Sequence, residues 1–379
     1  MSKIAIINRT NLKNYGSVLQ CYALCKAVSD LGYESEIIWE SGNFSKNFDF
    51  RPVKIISSLF KLATHPKLWS STITNVSDMN SRKISEKTVK MFDDFVKREI
   101  TQRIFSHKEL VKVAKSDEYE KFICGSDQVW CSTTLYVDPL MYLRFAPKDK
   151  RIAYAPSIGR DFIPSYNRRK MKKYISQIPH LSVRETEGQR LIKELTGLEA
   201  SVVLDPTLLF EKSDWDKQKI PYSAKEGYLL AYFLDAPSKE TQKELFDFAK
   251  EKGLKIVALC NALPYCEELG ANVYYPDCGP GEFIGFIESA SLVATDSYHG
   301  MLFSIIYKKQ FFSIERAYRQ YDQSSRQKTV LGLLNIENRY LNQGAEIPTE
   351  SEEIDYGKIE SILNNERQKS IEFLKKSIK

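Results

Sequence analysis

Apolar residues along this chain gather in short unbroken runs, and segments of helical spacing separate the runs. Lys3–Asn8 (KIAIIN) is the first run. Arg9–Gly16 is a polar loop, and Ser17–Leu31 (SVLQCYALCKAVSDL) carries apolar residues over broad faces of a predicted helix that Gly32 ends. Ser35–Glu40 (SEIIWE) is the next run, which completes a strand–helix–strand unit and predicts a parallel pair with a right-handed crossover. Continuous rather than alternating runs belong to strands covered on both faces.

The rhythm fades over residues 41–118. Pro52–Trp69 mixes apolar residues with Lys54, Lys61 and Lys67, and Ile84–Ile100 carries Val89, Phe92 and Phe95/Val96 at helical spacing. This stretch reads as an insertion between strands. Alternation returns at Glu120, with strands predicted at Lys121–Cys124, Ile152–Ala155, Leu181–Arg184 and Ser201–Leu204 and helices over 166–178 and 186–196. A weakly patterned linker, Lys212–Gly227, precedes a second series. Its predicted strands are Gly227–Leu234, Lys255–Cys260, Asn272–Tyr275, Leu292–Thr295 and Phe311–Ile314. Its helices fall over 238–252, 282–289, 326–334 and 354–377, and one more starts after Thr295 and ends at Lys308-Lys309. The pattern predicts an α/β fold of two domains, 1–222 and 223–379, with the last helix a candidate to pack back on the first.

A length of 379 residues suits two domains. An apolar fraction of 42% and a charged fraction of 27% are those of a globular chain. No apolar run is long enough to cross a membrane, and Met1–Thr10 lacks the longer core and cleavage site of a signal peptide. Seven cysteines, none in a Cys-x-x-Cys pair, indicate a reducing cytoplasm, no disulfide framework and no zinc. The net charge of +6 is uneven: Arg51–Glu120 holds 14 basic and 9 acidic residues, and Arg51–Ser77 has four basic residues and no acid. No nucleic-acid motif accompanies that charge, so an anionic substrate or a membrane surface fits better than DNA or RNA. With Ile55, Ile56, Leu59, Phe60, Leu62, Leu68 and Trp69, segment 51–77 is a candidate for peripheral contact with an anionic membrane or for a lid over the first domain.

Polar loops follow six of the predicted buried strands: Arg9–Ser17, Gly125–Gln128, Pro156–Gly159, Arg184-Glu185, Asp205–Thr207 and Asp296–Gly300. Loops at strand carboxyl ends are where open α/β sheets bind ligands, and two such sets would line one cleft. His299 is the sharpest candidate, at a helix start capped by Asp296 or Ser297, with Gly300 leaving room for a ligand near the backbone. Arg184 ends an apolar strand, where its fork suits a carboxylate or phosphate; an ion pair with Glu185 or Glu187 is the alternative. Asp127 is a candidate acid, base or hydroxyl binder, or else a turn aspartate bonding its own backbone. Asn14-Tyr15-Gly16-Ser17 precedes a helix whose start could hold an anion or a sugar hydroxyl, and it lacks the Gly-x-Gly-x-x-Gly of a nicotinamide site. His65, His107 and His180 offer no spacing for a metal.

Taken together, Asn14–Gln20 (NYGSVLQ), Gly125–Trp130 (GSDQVW), Ser182–Glu185 (SVRE), Val203–Leu208 (VLDPTL) and Thr295–Gly300 (TDSYHG) resemble the polysaccharide pyruvyl transferase family. The resemblance spans nearly the whole chain outside 41–118 and the C-terminal tail. It implies two Rossmann-like domains facing a central cleft, the glycosyltransferase-B type. The implied reaction moves pyruvate from phosphoenolpyruvate, a co-substrate and not a cofactor, onto a sugar as a cyclic ketal. The implied acceptor is a cell-surface glycan, such as a capsule or exopolysaccharide, or its lipid-linked precursor. On this likeness the donor would meet Arg184, Ser297, His299, Gly300, Lys309 and Arg326. The acceptor would meet Asn14, Tyr15, Gly16, Gln20, Asp127 and Gln128. His299, Asp127 and Arg184 would carry the chemistry, with acid and base left unassigned and no metal. Two other readings compete: a nucleotide-sugar glycosyltransferase of the same fold, and a non-catalytic glycan-binding relative.

Overall fold

The computed structural model of the chain describes residues 2–8, 14–40, 52–66, 68, 85–317, 322–350 and 352–379. The expected loop at 9–13 and the Arg51, Lys67 and Trp69–Ser77 parts of the basic segment lie outside the described residues. The first half runs β1 (Lys3–Ile7), α1 (Tyr15–Asp30), β2 (Glu34–Glu40), α2 (Pro52–Thr64), α3 (Glu86–Glu99), β3 (Gln102–Phe105), α4 (His107–Ala114), β4 (Lys121–Gly125), β5 (Arg151–Tyr154), α5 (Ser165–Ile175), β6 (His180–Val183), α6 (Thr186–Thr196) and β7 (Ser201–Val202). The second runs β8 (Tyr228–Tyr232), α7 (Lys239–Glu251), β9 (Lys255–Leu259), β10 (Val273–Tyr274), α8 (Pro280–Ser289), β11 (Leu292–Thr295), α9 (Tyr298–Ile306), β12 (Phe311–Ile314), α10 (Ser325–Leu333), β13 (Tyr340–Leu341) and α11 (Tyr356–Ile378).

Two parallel sheets result, ordered β3-β2-β1-β4-β5-β6-β7 and β10-β9-β8-β11-β12-β13. Both orders reverse direction once, between β1 and β4 and between β8 and β11, and such a switch point opens a crevice at the strand carboxyl ends. Continuous apolar runs follow from burial on both faces. Ile4 and Ile6 of β1 feed one core, Ala5 and Ile7 another, and β8 divides Leu230 and Tyr232 from Leu229 and Ala231 in the same way.

One of these cores is common to both domains. Helix α1 is apolar on nearly every side because it packs on its own sheet and also on α8 and α9 of the second domain. Tyr15, at its start, stacks on Phe92 at 5.1 Å and on Phe283 at 4.6 Å between ring centres. Helix α11 then returns to the first domain, where Ser370 Oγ accepts from Leu204 N at 2.9 Å and Arg367 Nε donates to Leu208 O at 2.8 Å.

Three expectations change. Residues 41–118 are not wholly an insertion, because β3 pairs in parallel with β2 as the sheet's edge strand. Its four residues, with Ile104 facing solvent, are too short and too polar to show a strand pattern. The linker after β7 holds a helical turn, Lys212–Trp215, whose buried Trp215 donates from Nε1 to Thr207 O at 3.1 Å. Phe311–Ile314 is not the last strand, since β13 pairs with it.

Candidate active site

Asn14 caps α1 by accepting from Ser17 N at 3.0 Å, and Ser297 caps α9 by accepting from Gly300 N at 3.3 Å. These two helix starts, one from each switch point, abut. A Cβ on Gly16 would lie 2.1 Å from His299 Nδ1, so the bare α-carbon of the first domain is what admits the imidazole of the second. Gly16→Ala is therefore expected to displace the ring and lower turnover by ~10-fold to 10²-fold, as small misplacements of a reacting group do. Unchanged kcat in that variant would separate His299 from the chemistry.

The imidazole is buried, and its Nε2 has no hydrogen-bond partner among the described residues. Asp205 Oδ2 lies 3.6 Å away, an ionic contact just beyond hydrogen-bonding reach. Asp205 is itself enclosed: it accepts from Arg184 Nη1 at 2.8 Å, Ser126 Oγ at 3.0 Å and Thr207 N at 3.1 Å. Burial works against its charge, but His299, Arg184 and the Thr207 N–H outweigh that and hold the carboxyl well below the usual carboxylate range.

Arg184 has no exposed side-chain surface, and its second Nη donates to Asp127 Oδ1 at 3.3 Å. Its Nε faces Glu185 Oε2 at 3.8 Å, and neither atom has a hydrogen bond among the described residues. Asp127 follows Ser126 in a left-handed turn, φ 62° after φ 23°, and its carboxyl is partly exposed beside Arg184. Burial raises that carboxyl, while Arg184, His299 and Arg326 hold it below its ordinary value. Tyr298 lies under two guanidiniums, Arg184 at 4.6 Å and Arg326 at 5.6 Å from the ring centre. Gln128 Nε2 donates across the cleft to Gln323 Oε1 at 2.8 Å, beside Arg326, which donates to Gln323 O at 3.5 Å.

Asp127, Gln128, Arg184, His299 and Arg326 thus come together from both domains, with Gly16 against them. The other expected contacts do not join them. Lys309 lies beyond the far end of α9 and donates to Glu288 O at 2.9 Å, with about 10 Å of helix between His299 and that end. Gln20 is buried against its own domain, accepting from Asn8 Nδ2 at 2.9 Å and donating to Ser17 O at 2.8 Å. Tyr15 is in the shared core, and Asn14 and Ser297 are caps. Gly300 serves packing, since a Cβ there would lie 2.6 Å from Thr295 Oγ1 and 2.8 Å from Tyr232 Cδ1. Arg184 pairs chiefly with Asp205 and Asp127 rather than Glu185 or Glu187. Asp205, Tyr298 and Gln323 are functional candidates that the sequence reading did not assign.

Asp296, in the same motif as His299, braces the second domain. Its carboxylate accepts from Leu234 N at 2.6 Å and Asp235 N at 3.0 Å, with Arg316 Nε at 3.8 Å. Burial still pushes it up to about 6. An acid raised in the folded state takes up its proton there first, so its contribution to stability grows as pH falls from about 7 toward 4. Asp296→Asn is expected to remove that contribution, read as the change in Tm between about pH 7 and pH 5 relative to the parent. Identical pH dependence in the two proteins would contradict it.

A polysaccharide pyruvyl transferase family model matches residues 14–318, a span that holds every member of the cluster except Gln323 and Arg326. The chain belongs to the polysaccharide pyruvyl transferase family. No curated protein matches it. Among solved structures this family member is similar to Arabidopsis thaliana UGT89C1, with 10% identity, a TM-score of 0.52 and 99% of each chain covered. It is also similar to UDP-GlcNAc 2-epimerase from Neisseria meningitidis, with 9% identity, a TM-score of 0.48 and 99% of each chain covered. Glycosyltransferase SnogD from Streptomyces nogalater shares 14% identity at a TM-score of 0.43, over 97% of this chain and 95% of that one. Identities this low speak for architecture alone, and the architecture is the glycosyltransferase-B type.

Proposed function

We propose that this family member transfers the pyruvyl group of phosphoenolpyruvate onto two hydroxyls of a sugar, within a cell-surface polysaccharide or its lipid-linked precursor. The observation that carries the reading is the buried Arg184–Asp205–His299 group, set at the contact of the two switch points with Arg326 beside it. In the reaction a proton adds to the methylene carbon of the enol, and a sugar hydroxyl attacks the adjacent carbon and gives up its own proton. Phosphate then leaves with its bridging oxygen, and a second hydroxyl closes the ketal. One hydroxyl proton ends in the new methyl group and the other on phosphate, so atoms and charge balance without an electron carrier.

Each role follows from an environment. His299 has an Nε2 with no hydrogen-bond partner among the described residues, 3.6 Å from Asp205 Oδ2, and an imidazole so placed suits delivery of a proton to the enol carbon or the departing phosphate. Asp205 orients and supports the ring. Arg184 holds Asp205 by its shorter bond and Asp127 by its longer one, and the donor's carboxylate takes the place of Asp127 on the guanidinium. Asp127, so released, accepts the proton of the attacking hydroxyl. Arg326 and the start of α9 face the phosphate.

The energetics are sufficient without Lys309. Charge-assisted hydrogen bonds contribute about 1.5–3 kcal/mol each. A ligand of millimolar to micromolar affinity needs about 4–8 kcal/mol. Bonds from Arg184 and Arg326 with the helix terminus reach that range. Phosphoenolpyruvate at ~100 times its Kd should stabilise the protein by about 2.7 kcal/mol in a thermal-shift measurement. Stabilisation by nucleotide sugars and none by phosphoenolpyruvate would replace this reading with a glycosyltransferase.

A further inference from the structure

Helix α2 leaves an apolar side uncovered. Val53, Ile56 and Phe60 are 64%, 66% and 71% exposed, and Leu59 beside them is 55% exposed. Their spacing places them on one side of the helix. The opposite side is anchored: Leu62 is buried, and Lys61 Nζ donates to Asn167 Oδ1 at 2.6 Å and Thr134 O at 3.3 Å. The apolar side therefore faces outward on a docked helix.

The anchor joins α2 to α5, which bears Arg168, Arg169, Lys170, Lys172 and Lys173 and no acid, all five exposed. Lys61 also lies 5.0 Å from the Tyr166 ring centre. Burial, with Lys170 nearby, pushes Lys61 down to about 8. An apolar ridge beside a helix of one charge sign suits an anionic bilayer, which takes apolar side chains between its lipids and basic ones at its headgroups. A second copy of the chain fits less well, since two-fold pairing through this face would bring two all-basic helices together.

The same anchor ties the face to the loop of Asp127 and Gln128. Asn167 Nδ2 donates to Ser132 O at 2.6 Å, and Ser132 continues the loop that carries Asp127 and Gln128. We propose that α2 and α5 form a docking face for an anionic membrane surface, which brings the Asp127 side of the cleft to a lipid-linked acceptor. The delivery of acceptor rests on the pyruvyl-transfer reading; the membrane contact does not.

Co-sedimentation of the full chain with phosphatidylcholine vesicles, with and without phosphatidylglycerol, tests the face without any acceptor present. Binding is expected only with phosphatidylglycerol and should weaken at high salt. The pair Ile56→Asp and Phe60→Asp should lower partitioning by at least ~10-fold, and so should Arg169→Glu with Lys173→Glu. An unchanged far-UV spectrum and unchanged phosphate release with a water-soluble acceptor would show that these variants remain folded. The proposal is overturned by absent binding, by equal binding to neutral vesicles, or by variants that bind as the parent does. Conversion of a dimer into monomers by the α2 pair, with vesicle binding unaltered, would also overturn it and assign the face to a second copy. Vesicle binding in a protein that releases no phosphate from phosphoenolpyruvate would leave the face standing and remove only the reaction.

Discussion

His299→Ala is expected to lower phosphate release from phosphoenolpyruvate by ~10²-fold or more, the usual worth of a positioned general acid or base. The ring is held in one place by Gly16 on one side and Asp205 on the other, and its Nε2 is left without a hydrogen bond among the described residues. A buried histidine with only a structural task would satisfy both nitrogens. His299→Gln keeps much of the volume and should lose nearly as much turnover, which separates chemistry from packing. The readout that a packing role would not move is the pH profile: a limb of the parent's kcat profile should vanish in both variants. Parent-like turnover in either would remove His299 from the mechanism.

The second large effect is on folding. Asp205→Ala leaves the Arg184 guanidinium buried with Asp127 as its remaining close partner, and strands Ser126 Oγ and Thr207 N. Breaking one side of a buried pair costs about 3–5 kcal/mol where the remaining charge is uncompensated, and with Asp127 at 3.3 Å and Glu185 at 3.8 Å still beside the guanidinium the loss should fall at the lower end of that range. Urea unfolding should show that loss as a lower midpoint at similar slope. Replacing the pair together, by Asp205→Asn with Arg184→Met, should recover part of it. The acid limb has a definite sign. A carboxyl depressed in the folded state contributes its full stability above the ordinary aspartate value of about 4. That contribution is lost as pH falls from there through the depressed value, so Asp205→Ala should flatten the parent's acid transition. A change under about 1 kcal/mol would mean that the pair is not a unit.

Much of the fold is written in the chain's apolar runs, because strands buried on both faces leave little room for polar residues. That is why β1, β4, β8 and β11 are legible and edge strand β3, QRIF, is not. The address of the site follows from the same strands, since each polar loop marks a strand's carboxyl end. Which loop residue faces the cleft is a matter of tertiary contact. Gly300 and Gly16 look alike as bare glycines at helix starts, yet one accommodates Thr295 and Tyr232 and the other an imidazole from the opposite domain. Lys309 and His299 share one strand–turn–helix unit, but the helix between them carries the lysine to its other end. Asp205 reads as an ordinary Asp-Pro turn, because its partner Arg184 is 21 positions earlier and only sheet pairing brings them together.

The proposed reaction divides the labour between a proton-handling pair and an anion-handling pair. His299 with Asp205 spans the domain boundary, and Arg184 with Arg326 brackets Tyr298 from both domains.

The most direct test supplies phosphoenolpyruvate with lipid-linked galactose, mannosamine or glucose acceptors and follows inorganic phosphate together with product mass. The account predicts phosphate release that depends on one of these acceptors, with one phosphate freed per ketal formed and both lost in His299→Ala. Acceptor binding with no phosphate release, or transfer of a sugar from a nucleotide donor with phosphoenolpyruvate untouched, would contradict it.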